Sequence, residues 1–424
     1  MSSVLKKNSV IKEKIFISDK ESGIKCYLIP KKDYVNKECA IVFFYGANDM
    51  NFYDNGKIYN SQSGTAHFIE HKLFANPEGD VFTLFSKNGA SANAFTDFEK
   101  TVYYFNCSEN FYDNVKILIN MVKTPYFTNE NVESEKSIIK QEITMYDDNA
   151  DWRVYYEMLN IMYHNHSIKN KIAGTCDTVE KIDENMLNKC YNSFYTADNM
   201  AVICAGDFDE NELFDLIKNE FKSFNSKKQV KSVYDDEPCD IVQKYSMVQM
   251  DIKETVFSVG FKLPKSFFES DLKTSFALKI GGDILFGESS EFYENLYNKG
   301  ILKESLGIDF VSGKEFAFFV ITGKCENPED IAELIAEKFK QVQRNGLSSE
   351  VFERIKEKHK GRFIRGLNSV DAIVMAQINF AVKNTDISEV YDAISDIDIN
   401  FVSGVLNKGF DSKNMVLSVV KPLE

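Results

Sequence analysis

The sequence predicts an α+β protein made of two related tandem domains, each a mainly antiparallel sheet covered by helices. Three observations lead there. Short runs rich in β-branched and aromatic residues are interleaved with amphipathic stretches in both halves, without the regular alternation of a doubly wound parallel sheet. At 424 residues the chain is long for a single core. Part of the first half also has a counterpart in the second.

In chain order, residues 14–30 and 38–46 read as antiparallel strands that lead into a polar loop from Gly46 to Ser63. A helix containing His67 follows, starting at Gly64-Thr65 and stopped by Asn76-Pro77 and Gly79. A short helix spans 81–87. The small residues of Ala90-Ser-Ala-Asn-Ala-Phe-Thr96 then fit either a core strand or an edge that an extended peptide can join. Amphipathic helices are expected at 109–123 and 128–146, the second with Ile138, Ile139 and Ile143 as its packing stripe. A further helix holds Trp152, a strand ends at Gly206, and a helix covers 210–224. Polar, charged residues with Pro238 suggest a linker at 225–244. The expected domains are therefore 1–224 and 245–424. The second reopens with strands at 245–251 and 255–263 and a helix near 271–286.

Phe105–Ile119 and Thr322–Ile335 each read as strand end, loop and amphipathic helix, followed by a second helix at 128–146 or 348–366. In such a duplication the stretch facing His67–His71 falls near Ile284–Glu288, which has no histidine, and the position facing Glu142 falls near Arg362. Only the first copy is equipped for metal.

The formal net charge of −14 disfavours nucleic acid, whose backbone calls for a basic footprint. No apolar run of 18 residues or more exists, so no membrane span is expected. The first residues lack the apolar core of a secretion signal, and the eight cysteines are scattered without a Cys-x-x-Cys pair. They read as reduced, mostly buried thiols of a cytoplasmic chain.

Two of the five histidines, His67 and His71, stand one helical turn apart with Glu70 between them. On one helix face they offer two imidazoles to a single Zn²⁺, while Glu70 is placed to touch a water rather than to ligate. A catalytic zinc needs a third protein ligand and an open position. Glu142 is the best candidate, and Glu135, seven residues earlier on the same face, is the alternative or the supporting carboxylate. Glu70 is the candidate general base. His164 and His166 read as surface-loop histidines, and His359 as solvated.

His67-x-x-Glu70-His71, the Glu135/Glu142 pair, Gly89-Ala-Ser-Ala-Asn93-Ala-Phe-Thr96 and Asn199-Met with Gly206-Asp207 resemble the insulinase/pitrilysin metallopeptidases, a family that includes the mitochondrial processing peptidase. The resemblance implies one Zn²⁺ per chain, held by His67, His71 and Glu142, with Glu70 as base and Glu135 in support. It implies that Ala90, Ser91, Ala92, Asn93, Ala94 and Thr96 hold a peptide substrate, Asn93 either touching it or only shaping the strand. Activity is then expected on peptides or unfolded segments within a chamber formed by two such units. Relatives working alone or as homodimers usually carry an Arg and a Tyr seven residues apart in the second half. Here those positions fall at Tyr297 and about Glu304. The expectation is the zinc-bearing subunit of a heterodimer whose related partner supplies them, with a homodimer as the other arrangement. The alternative is a non-catalytic assembly or binding subunit that keeps metal for structure.

Overall fold

The computed structural model describes residues 3–7, 14–18, 23–54, 56–77, 79–224 and 230–423. Of the expected linker, 225–229 lie outside these, as do Met1, Ser2 and Asn8 at the start of the chain. Two compact units emerge, each drawn from three stretches of chain: Met1–Ile143, Lys171–Val233 and Ile364–Glu389 in the first; Thr144–Asn170, Tyr234–Phe363 and Val390–Glu424 in the second. Strands and helices are numbered along the chain.

The first unit holds a seven-stranded sheet, in spatial order β1 (Ser3–Lys7), β2 (Lys14–Ser18), β3 (Lys25–Pro30), β11 (Met200–Gly206), β4 (Lys37–Phe43), β10 (Thr101–Cys107) and β9 (Ala90–Thr96). Only β3 and β11 pair in parallel. One face shares a core with α1 (Thr65–Leu73), α2 (Val81–Lys87), α3 (Phe111–Lys123), α4 (Asn129–Asp147), α6 (Cys176–Glu180), α7 (Glu184–Phe194) and α8 (Glu210–Glu220). The stretch expected as a polar loop contains a hairpin, β5 (Asn51–Asp54) with β6 (Lys57–Asn60), and β7 (Ala75–Asn76) pairs with β8 (Gly79–Asp80) after α1. Too few apolar residues mark β6 for its alternation to be read.

The second unit holds five strands in the order β12 (Tyr245–Met250), β16 (Met415–Pro422), β13 (Val256–Lys262), β15 (Phe316–Lys324) and β14 (Gly307–Gly313), with only β12 and β16 parallel. This is the order and sense of β3-β11-β4-β10-β9, so the duplication is written in the topology. Its helices are α9 (Leu272–Phe286), α10 (Glu291–Asn298), α11 (Pro328–Asn345), α12 (Ser349–Gly366), α14 (Val390–Ser395) and α15 (Ile399–Gly409).

The expected boundaries at 224 and 245 do not match these units, because each half contributes one helix to the other's sheet. α5 (Ala150–Met162) packs on β13 and β16, and its counterpart α13 (Val370–Val382) packs on β4 and β11. An added Cβ on Gly260 would meet Met162 and Met158 at 2.4 and 2.6 Å, so that glycine lets α5 lie close to β13. β11 and β13 are accordingly buried on both faces, unlike most antiparallel strands. The described part of the expected linker is anchored at one point. Glu237 is buried and accepts the backbone N–H groups of His164, Asn165 and His166 and the Lys262 ammonium. These donors offset its burial and draw its pKa down to about 2.

Under α13 lies Glu38 of β4, 1% exposed, its Oε1 without a hydrogen-bond partner among the described residues. Burial first, and the charge of Asp371 second, push its carboxyl up to about 8. In the unfolded chain a glutamate ionises near 4.3, about four units lower, so folding takes up a proton and stability falls as pH rises through that window. Glu38→Gln is expected to stabilise the protein by roughly 1–3 kcal/mol more at pH 8 than at pH 5. Urea unfolding at both pH values checks this, and an equal effect at both rejects it.

Candidate metal centre

α1 is set by its apolar side: Phe68, Ile69 and Leu73 are buried, and the helix packs on α7, β9 and β10. Its start depends on Gly64, at φ 94°, where a Cβ would meet the Ala173 carbonyl oxygen at 2.6 Å. That backbone-to-backbone approach admits only glycine. α4 buries Val132, Lys136, Ile139 and Ile143, while Ile138 is 53% exposed. The stripe therefore runs through 132, 136, 139 and 143 rather than including Ile138, and it leaves Glu135 and Glu142 facing α1.

Candidate ligand atoms of His67, His71 and Glu142 lie within 4.8 Å of one another. His67 Nε2 is 3.6 Å from Glu142 Oε1, and His71 Nε2 is 3.2 Å from Glu142 Oε2. Tetrahedral zinc with bonds of about 2.0–2.2 Å separates its ligand atoms by roughly 3.3–3.6 Å. Two imidazoles and a carboxylate thus fit zinc in chemistry and spacing.

Glu135 is not in that cluster. Its Oε1 is 3.1 Å from His71 Nδ1 and its Oε2 accepts from Lys72 Nζ at 3.3 Å, so it orients the ring from behind. His67 Nδ1 is buried with no hydrogen-bond partner among the described residues, and packing holds that ring. Burial alone would lower the His71 pKa, but the bonds to Glu135 and Glu142 and the charge of Glu70 lift it to about 9. Metal uptake must displace that proton, so it weakens as pH falls.

Glu70 is 9% exposed, and its Oε2 accepts from Thr96 Oγ1 at 2.6 Å. Thr96, expected to hold substrate, thus anchors the candidate base. Ala90, Ser91, Ala92, Asn93 and Ala94 lie with it on β9, a sheet edge paired only with β10. Asn93 turns its side-chain oxygen onto the Ala94 N–H at 2.8 Å, which favours strand shaping over substrate contact. Beside α1, a 400 Å³ cavity is lined by His71, Phe74, Phe82, Tyr126 and Glu135 among others.

The remaining histidines lie outside that cluster. His166 is buried rather than on a surface loop: Nδ1 accepts the Ile168 N–H and Nε2 faces the Lys314 carbonyl oxygen at 3.1 Å. His359 is paired with Asp283 at 2.9 Å, its side chain 10% exposed, rather than solvated. Tyr297 stacks on Tyr293 and is 52% exposed, and Glu304 pairs with Lys324.

The model of the insulinase family, peptidase family M16, matches residues 54–176, and that of the peptidase M16 inactive domain matches 181–358. A zinc protease of Bacillus subtilis, YmfH, itself uncharacterised, is 32% identical over 97% of both chains. The chain belongs to the insulinase family. The beta subunit of the mitochondrial-processing peptidase of Dictyostelium discoideum is 24% identical over 87% of this chain and 83% of its own. The crystal structure of an M16-like peptidase from Alicyclobacillus acidocaldarius superposes with a TM-score of 0.91 at 28% identity, covering 100% of this chain and 98% of that one. In this insulinase-family chain the candidate metal cluster lies within the first matched segment, and the second, from 181 to 358, has no histidine. Among the described residues no helix is long and apolar enough to cross a membrane, and all eight cysteines are unpaired, six of them buried.

Proposed function

We propose that this protein is a zinc-dependent endopeptidase acting on extended peptides or unfolded segments, one Zn²⁺ being held by His67, His71 and Glu142. The observation that carries the reading is the placing of Glu70. It stands between the two imidazole-bearing residues on the same helix, one turn after His67 and next to His71, outside the ligand set, with Thr96 fixing its carboxylate. A structural metal site has no use for such a residue, which disfavours the reading as a non-catalytic assembly subunit.

Bound zinc would supply Lewis acidity at the scissile carbonyl and make water a nucleophile near neutral pH. Glu70 takes the proton of the attacking water and delivers it to the leaving amide nitrogen. β9 offers its free edge to the peptide backbone, which orients the carbonyl beside Glu70. Glu135 keeps the His71 ring turned with Nε2 inward. The gripping positions at Tyr297 and Glu304 hold neither Arg nor Tyr in the expected places, and Glu304 is already ion-paired. A related subunit is proposed to supply them.

The test is cleavage of quenched fluorescent, unstructured peptides. Activity is expected only with zinc, to vanish with a chelator and to return on adding zinc. It should rise at least tenfold when a related subunit bearing the Arg/Tyr pair is mixed in. Equal rates for the chain alone and the mixture reject the heterodimer.

A further inference from the structure

We infer that Lys72 is a positioning residue for the metal ligand His71, acting through Glu135. This rests on the zinc-site reading above. Lys72 follows His71 in α1, so its side chain leaves the helix about 100° around the axis from the ligand, on the side of α4. It is 3% exposed, and its ammonium lies 3.3 Å from Glu135 Oε2 with no other hydrogen-bond or ionic partner among the described residues. The other oxygen of the same carboxylate is 3.1 Å from His71 Nδ1. The carboxylate is therefore clamped at both ends, one to the ring and one to the lysine.

Stability does not account for this arrangement. Taking an ammonium and a carboxylate out of water costs about as much as their attraction returns, so the buried pair adds little net stability over an apolar pair of similar volume. What an apolar residue cannot do is hold Oε2. A carboxylate bonded only through Oε1 is free to turn, and its second oxygen then competes with the imidazole for a nearby divalent ion. Lys72 removes that freedom, so Glu135 accepts from Nδ1–H and leaves Nε2 directed at the metal. The charge count points the same way. A divalent ion surrounded by Glu70, Glu135 and Glu142 carries one negative charge too many, which the buried ammonium cancels.

The experiment measures zinc affinity of the full chain by competition with a chromophoric chelator, together with the visible spectrum of the cobalt-loaded protein. Lys72→Met and Lys72→Gln are both used, so that a packing defect in one does not decide the result. Each is expected to weaken zinc binding 10–100-fold and to shift the cobalt bands; the carboxylate left without its ammonium lowers the unfolding midpoint as well, so the affinity and cobalt spectrum of the folded protein are the deciding readouts. Lys72→Arg should restore the affinity to within a few fold. Glu135→Gln should cost a similar factor, and combining it with Lys72→Met should add little, because the lysine works through that carboxylate. Unchanged affinity and spectrum in Lys72→Met, or losses that multiply in the double variant, would overturn the inference. An unaltered chain that binds no zinc would instead overturn the metal-site reading, and this inference with it.

Discussion

Replacing Glu70 by glutamine is expected to lower kcat by 10²–10⁴-fold, the span typical of a lost general acid–base, while the zinc stays bound. The substitution is nearly isosteric, and the amide oxygen can still accept from Thr96 Oγ1, which sits 2.6 Å from Glu70 Oε2. No ligand atom is touched, because the cluster consists of His67, His71 and Glu142. What is lost is the ability to take a proton from water. Steady-state kinetics on a peptide substrate, with metal content measured on the same sample, checks both halves of the expectation. A variant retaining more than about a tenth of the activity would remove the proposed mechanism. Loss of zinc together with activity would make Glu70 part of the metal's support rather than the base.

The second large effect concerns the exchanged helices. A fragment ending at residue 224 keeps the candidate metal ligands and the seven-stranded sheet but lacks α13, and its own α5 has lost the sheet it covers. Val370, Ile373, Val374 and Ile378 of α13 are all buried. At about 1.5–3 kcal/mol for each such side chain, removing them costs on the order of 10 kcal/mol. That matches the whole stability of an ordinary domain, about 5–15 kcal/mol. The fragment 1–224 is therefore expected to show no cooperative unfolding transition and no zinc binding. Mixing it with the fragment 225–424 is expected to recover both, since each carries the helix the other needs. Calorimetry and zinc titration of the separate and mixed fragments decide the matter. An independently folded, zinc-binding 1–224 would refute it.

Much of this was legible in the sequence because the relevant signals are local. Helical spacing brought His67, Glu70 and His71 to one face, and the seven-residue step from Glu135 to Glu142 put both on another. Rotation of α4, set by its buried stripe through Val132, Ile139 and Ile143, turns both toward α1, but the choice between them depends on how far along its axis α4 meets α1, which no spacing in the sequence shows. Thr96 and Lys72 were not recognised as supports of Glu70 and Glu135. Their partners lie 26 and 63 residues away, and no spacing rule links a strand threonine or a helix lysine to such distant carboxylates. The domain boundaries were misplaced for a related reason. Periodicity shows that α5 and α13 each have an apolar face, but not which sheet that face will meet. The continuous burial of β11, whose seven residues are all apolar, was the available sign that a cover arrives from elsewhere.

The exchange also dictates a timetable. α13 follows β11 by about 160 residues, so the sheet of the first unit is synthesised with Ala40, Val42, Ala201 and Ile203 uncovered and stays so until α13 emerges. A strand-rich intermediate in that condition is prone to stick to others like it, and long-range closure of this kind is slow. The nascent chain would therefore lean on holding factors until α13 emerges, and the candidate metal centre would mature only then.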